Sequence, residues 1–381
     1  MALRKRFDNA ESSKRVAYIY SPDVLTESDS FLPTKHRNSM VHSLIEACGL
    51  LEYMTIICPK MATVADLEAF HSSDYLQYLV EREKQCDIDD GDDNENDKLY
   101  GFGYDCPLKQ GIFKYCQNVA GGSISAAELL CERKCLVAIH WLGGWHHAKR
   151  SQAAGYCYVN DCVLAILRLK QNFAKVLYVD LDLHHGDGVE DAFCATAKVM
   201  TFSIHKFESG FFPGSGSVHD IGCGKGQYYS VNFPLKDGCN DETFINACEK
   251  VFRKINQIFK PNAVVCQVGA DGLSGDPMRS FNLTVHSLCS CVNSIIKWQK
   301  PTLLLGGGGY NEANVARCWC QITASVLEAP LTEEIPEHEF FPAYGPDFEF
   351  QITRSLKKDL NCSEYLNSIF HKVSTNINKV V

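Results

Sequence analysis

A chain of 381 residues with 45% hydrophobic content can bury a large core, and its 37 basic against 46 acidic residues leave a net charge of −9. That balance argues against a surface built to grip a nucleic-acid backbone and suits basic peptide partners. No apolar run approaches the length of a membrane span, and the N-terminus carries no apolar signal-peptide stretch.

In chain order, Arg4-Lys5-Arg6 is too short to serve as a nuclear signal and falls in a segment, residues 1–14, expected to be a flexible tail. Residues 15–381 are expected to form one domain, because apolar runs near 16, 137, 176, 199, 229, 263 and 302 recur with helical segments between them and no Pro/Ser-rich linker divides them. The fold class is therefore α/β: a single domain with a central, mostly parallel sheet flanked by helices on both faces. Arg37-Asn38-Ser39 gives Ser39 a weak basic-residue kinase context, where added phosphate charge beside Arg37 would matter. An acidic loop at about 86–98, densest from Asp87 to Asp97, precedes Asp105; it reads as a solvated, mobile loop that can also attract lysine-rich tails.

After the apolar run Leu136 to Trp141 comes Gly143-Gly144-Trp145-His146-His147-Ala148-Lys149. Paired histidines behind a glycine turn suit proton transfer, since imidazole titrates near neutral pH and glycines let backbone approach a substrate. Val176 to Leu183 reads as an apolar strand whose period of two puts Asp180, Asp182 and His184 on one face. Carboxylates facing inward beside Val and Leu call for a partner or a metal. Asp182 and His184 supply one oxygen and one nitrogen. The best third ligand is Asp271, which follows the apolar run Ala263 to Ala270 at a strand's carboxyl end. Asp180 and Asp187 then remain free to orient one imidazole each. Leu303-Leu304-Leu305 breaks into Gly306-Gly307-Gly308-Gly309-Tyr310, a run without the spacing of a dinucleotide fingerprint or the Lys-Ser/Thr of a phosphate loop. Tyr310 gains interest as a phenol able to donate to an oxyanion. Nineteen cysteines without a C-x-x-C pair read as reduced, mostly buried thiols, Cys157 among them.

These residues resemble the zinc-dependent class I histone deacetylases, most closely the branch called isoform eight. The resemblance runs from about Ala17 to the C-terminus. It rests on Ser39-Met40-Val41-His42-Ser43-Leu44-Ile45-Glu46-Ala47, on Gly103-Tyr104-Asp105-Cys106-Pro107, on Asp180 to Asp191 and on Gly306 to Tyr310. It implies an arginase/deacetylase-like fold with Asp182, His184 and Asp271 as zinc ligands. His147 paired to Asp187 would be general base and acid, His146 paired to Asp180 an electrostatic or relay partner, and Tyr310 the oxyanion donor. Asp105 would be a rim carboxylate for the substrate backbone. Gly155, Tyr156, Phe212, Met278 and Gly308 would contact the acyl-lysine, and Arg37 would gate an acetate exit. The resemblance further implies two monovalent-cation sites, filled by potassium. One would use Asp180, Asp182, His184, Ser203 and Ile204, the other Phe193, Thr196, Val199 and Tyr229.

The chain departs from that pattern at Tyr156, where the family usually places Phe, and at Gly272, where relatives carry a larger side chain. The extra hydroxyl makes the expected tunnel more polar or narrower, and the glycine could loosen the backbone behind a metal ligand. The expected function is metal-dependent hydrolysis of acetyl-lysine, or a longer acyl-lysine, in histones and other proteins, with chromatin and transcription regulation in nucleus and cytoplasm. Two carboxylates and one imidazole also accept Fe²⁺ or Co²⁺. The alternatives are deacetylation of small amines such as polyamines, and a non-catalytic scaffold for acylated tails or corepressor proteins. Neither nucleic acid nor membrane is expected as a partner.

Overall fold

The computed structural model describes residues 16–31, 34–84, 94–103 and 105–381. The expected N-terminal tail, Tyr104 and most of the acidic loop lie outside the described residues. The end of that loop is ordered: Glu95–Leu99 is a short helix, and Asp97 accepts from Arg82 Nη2 at 2.9 Å and from Tyr78 Oη at 2.7 Å. Asp97, the last residue of the acidic run, is thus paired and not free in solvent.

Eight strands form one sheet: β1 Val16–Ile19, β2 Thr55–Ile57, β3 Val137–His140, β4 Val176–Asp180, β5 Val199–Lys206, β6 Ser230–Leu235, β7 Ala263–Gln267 and β8 Thr302–Leu305. Their order is β2-β1-β3-β8-β7-β4-β5-β6, and every pairing is parallel. All seven expected runs become strands. The missing one, β2, is a largely exposed three-residue edge strand, too short to stand out as a run although Ile56 and Ile57 are apolar. "Mostly parallel" becomes wholly parallel, as helical crossovers on both faces require.

Alternation within strands feeds two cores. Leu177 and Val179 of β4, with Ile139 of β3, Cys266 of β7 and Leu304 of β8, join helices Arg37–Ala47, Asp241–Ile258, Val285–Ile296 and Glu312–Val326. Val176, Tyr178, Val265, Leu303 and Leu305 point the other way and meet helices Ile112–Cys131 and Asp161–Leu169. Side chains buried on both faces explain why these strands read as continuous apolar runs. Helix starts are set by asparagines: Asn160, Asn240 and Asn311 each accept a first-turn backbone N–H. The described cysteines are free thiols. Among the described residues no helix is long and apolar enough to cross a membrane.

The chain jumps from β3 to β4 and later fills the gap between them with β8 and β7. The carboxyl ends of four adjacent central strands therefore point into one crevice, the place where open α/β sheets collect ligands.

Candidate active site and metal centre

β3 delivers the histidine pair. Gly144 has φ +102, and a Cβ there would lie 2.4 Å from the Gly306 carbonyl, while one on Gly143 would lie 2.5 Å from Asp161 Oδ2. These glycines admit neighbouring protein, not substrate, which corrects the reading of that turn. Beyond them, His146 Nδ1 lies 2.7 Å from Asp180 Oδ2 and His147 Nδ1 lies 2.8 Å from Asp187 Oδ1. Both pairings match the expectation. Asp180 also accepts from Tyr178 Oη at 2.7 Å, and Lys149 Nζ stands 3.2 Å from Asp187 Oδ2.

β4 ends at Asp180, earlier than the expected strand to Leu183. The alternation nevertheless survives in the loop: Leu181 and Leu183 enter the core while Asp182 and His184 face the crevice. With Asp271, which follows β7, they form a buried group whose ligand atoms all lie within 4.8 Å of one another. His184 Nδ1 is 2.9 Å from Asp271 Oδ2 and 3.3 Å from Asp182 Oδ1. Surrounding donors aim the carboxylates. Asp182 accepts from the Gly308 N–H at 2.9 Å and Gln267 Nε2 at 2.8 Å, and Asp271 accepts from the Leu183 N–H at 3.0 Å. A Cβ on Gly308 would stand 2.3 Å from Asp271 Oδ2, so only glycine fits there. Two adjacent buried carboxylates and one imidazole make a donor set that fits a divalent cation.

A cavity of about 270 Å³ opens beside this group, lined by Asp105, His147, Gly155, Tyr156, His184, Phe211, Phe212, Met278 and Tyr310. Tyr156 thus points inward, its ring centroid 5.9 Å from that of Tyr310. Phe211 stacks on His184 at 5.2 Å, and Phe212 meets His147 edge-on at 4.8 Å. Asp105 Oδ2 accepts from the Gly155 N–H at 2.8 Å.

Electrostatics separates the two histidines. Burial pulls His146 down, but Asp180 and Asp182 outweigh it and raise its pKa to about 9. For His147, burial and the neighbouring charged His146 win over Asp187 and lower it to about 4. At neutral pH His146 is a cation and His147 a free base. Burial raises Asp182, yet His146 and His184 hold it well below the usual carboxylate range. Burial and then Asp182 push Asp271 up to about 6. Tyr310 is held far above its ordinary value by burial and by Asp271 and Asp182, so its hydroxyl keeps its proton.

Other expected residues fall nearby. Ser203 lies opposite Asp180 in the β4–β5 register, with Ile204 next along β5. Phe193, Thr196, Val199 and Tyr229 gather near the starts of β5 and β6, where the Thr196 N–H donates to the Phe193 carbonyl and the Thr201 N–H to that of Tyr229. Arg37 is buried, its Nη1 3.0 Å from the carbonyls of both Gly307 and Gly309 and its guanidinium near the rings of Trp145 and Trp319. The Ser39 N–H donates to Asp29 Oδ2 at 3.3 Å. Cys157 is a buried thiol, pushed well up by that burial. Gly272 leaves a Cβ 3.2 Å from Leu283 Cδ1, so a side chain there would press on the core. Gln267 and Phe211 escaped the sequence reading. Gln267 had a signal, a polar residue inside the apolar run of β7.

Against known proteins, residues 32–326 match the model of the histone deacetylase domain. The chain is thus a hydrolase of the lysine deacetylase class and belongs to the histone deacetylase family. Within it, the chain is similar to Histone deacetylase 8 of Danio rerio, 48% identical over 374 residues that cover 98% of each protein. Histone deacetylase 8 of Xenopus tropicalis is 49% identical over 372 residues, 97% of this chain and 100% of that protein. Histone deacetylase 1 of Bos taurus is 41% identical over 372 residues, 96% of this chain and 76% of that protein.

Proposed function

We propose that this chain hydrolyses acetyl-lysine, or a longer acyl-lysine, in histone tails and other proteins of nucleus and cytoplasm. One observation carries the reading: a single largely apolar cavity is lined together by His147, Tyr310 and His184, the last within a buried Asp-His-Asp group. Asp182, His184 and Asp271 would hold a divalent cation, zinc by family resemblance, with Fe²⁺ or Co²⁺ accepted by the same donors. Such a cation, when bound, polarises an amide carbonyl and lowers the pKa of water beside it.

The chain's own residues do the rest. The neutral acyl-lysine stem packs against Gly155, Tyr156, Phe212 and Met278, whereas free lysine is charged and is expelled from an apolar tube. Asp105 keeps one oxygen for the substrate's backbone N–H groups, the other being held by Gly155. With Nδ1 facing Asp187, His147 carries its lone pair on Nε2. There it takes a proton from water and returns it to the departing amine nitrogen. His146, charged and paired to Asp180, adds a positive field where negative charge develops. Tyr310 donates to the carbonyl oxygen as that charge grows. Arg37, behind the Tyr310 loop, would gate acetate release. Potassium at the two monovalent-cation sites belongs to the same reading, supported by Ser203 facing Asp180 across β4 and β5.

Tyr310→Phe tests this reading, since it deletes one hydroxyl and keeps the ring. Turnover of an acetyl-lysine peptide should fall on the order of 10²–10³-fold with metal content and peptide affinity retained. Unchanged turnover would remove Tyr310 from the chemistry.

A further inference from the structure

In the loop that carries His146 and His147 the imidazoles are held by Asp180 and Asp187, and the backbone is gripped separately, from Gly144 to Ala148. Both grips come from consecutive residues at the start of helix Asp161–Leu169. Asp161, fully buried, accepts from the Trp145 N–H at 2.8 Å, the Gly144 N–H at 3.0 Å and Ser123 Oγ at 2.5 Å. Asn160, also fully buried, donates through Nδ2 to the His146 carbonyl at 3.1 Å and to the Ala148 carbonyl at 2.9 Å. The Asn160 N–H is fixed in turn by His71 Nε2 at 3.0 Å, and His71 is anchored to the Arg150 carbonyl at 3.2 Å.

Capping does not account for this arrangement. Asn160 Oδ1 accepts the Val163 N–H at 3.0 Å, which closes the helix end, and serine or aspartate would cap it as well. Only a short amide caps the helix and also supplies two N–H bonds to the loop carbonyls. Asp161 likewise buries a carboxyl group, whose pKa that burial raises, a costly choice unless the donors it organises must be held in place. The bonds straddle His146, with grips on Gly144 and Trp145 before it and on Ala148 after His147.

We propose that Asn160 and Asp161 are positioning residues for the reaction, fixing the backbone from Gly144 to Ala148 and so the placement of both imidazoles. The inference rests on the proton-handling role given to His147 above. Neither residue lines the cavity, so substrate binding is not their task. Misplacing a catalytic group by about 1 Å can cost on the order of 10²-fold in rate. Loss of the two Asn160 amide bonds should therefore appear in kcat, with little change in KM.

Asn160→Ala, Asn160→Ser and His147→Ala, matched for metal content, separate the possibilities with an acetyl-lysine peptide and a thermal melt. Alanine removes cap and grip together and can unfold the chain; serine restores the cap and lacks the reach for His146 and Ala148. The expected result is that Asn160→Ser melts near the parent, lowers kcat on the order of 10–100-fold and leaves KM within about threefold. If serine restores turnover along with the melting temperature, the role is capping alone and the proposal is overturned. A His147→Ala variant with parental turnover would overturn it by removing the reading beneath it. Loss in His147→Ala with full activity in Asn160→Ser rejects the positioning role only.

Discussion

Asp182→Ala is expected to bring turnover of an acetyl-lysine peptide down to the rate without enzyme, the largest effect of any single change. Asp182 offers a carboxylate to the buried group with His184 and Asp271, and it also accepts from Gly308, Gln267 and the His184 N–H. Removing it takes away a charged ligand and leaves buried donors without an acceptor, each worth about 1–3 kcal/mol of lost stability. The variant should therefore melt lower as well as lose metal. Asp182→Asn separates these effects, since it keeps the shape and one acceptor oxygen while losing the charge. It should melt closer to the parent and still bind metal poorly. Parental turnover in a folded, metal-free Asp182→Asn would contradict the assignment.

Replacing His147 by Ala should lower kcat by roughly 10²–10⁴-fold, the range for a positioned general acid–base. The choice of His147 over His146 rests on opposite environments. His146 sits between Asp180 and Asp182 and is raised to about 9, while His147 is lowered to about 4 by burial and by His146. Only the neutral imidazole can accept a proton at pH 7. His146→Ala should cost less, because it removes a fixed charge and no proton acceptor. Metal content in His147→Ala should match the parent, since His147 lies outside the ligand group. A larger loss from His146→Ala than from His147→Ala would reverse the assigned roles.

Much of the site was legible because parallel strands buried on both faces announce themselves as apolar runs, and polar residues interrupting such runs stand out. Asp180, Asp182, His184 and Asp271 were found in that way. Alternation outlasted the strand itself: β4 stops at Asp180, yet Asp182 and His184 continue its facing. The edge strand β2 was lost because three residues are too few to show a period, although two of them are isoleucines. The pairings of His146 with Asp180 and His147 with Asp187 span 34 and 40 residues, so only the resemblance could match each partner. Phe211 was invisible because an aromatic in a loop has no period to betray its direction. Asn160 and Asp161 passed unremarked in the sequence, since capping and gripping use the same residue types.

The central claim is that a metal-supported amide hydrolysis occurs at the Asp182, His184 and Asp271 group. The most direct test is turnover of an acetyl-lysine peptide by the purified chain before chelation, after it, and after zinc is returned, with metal content measured at each stage. Activity should vanish with the metal and recover with it. Full turnover by metal-free protein, or none by protein with metal and peptide both bound, would contradict it.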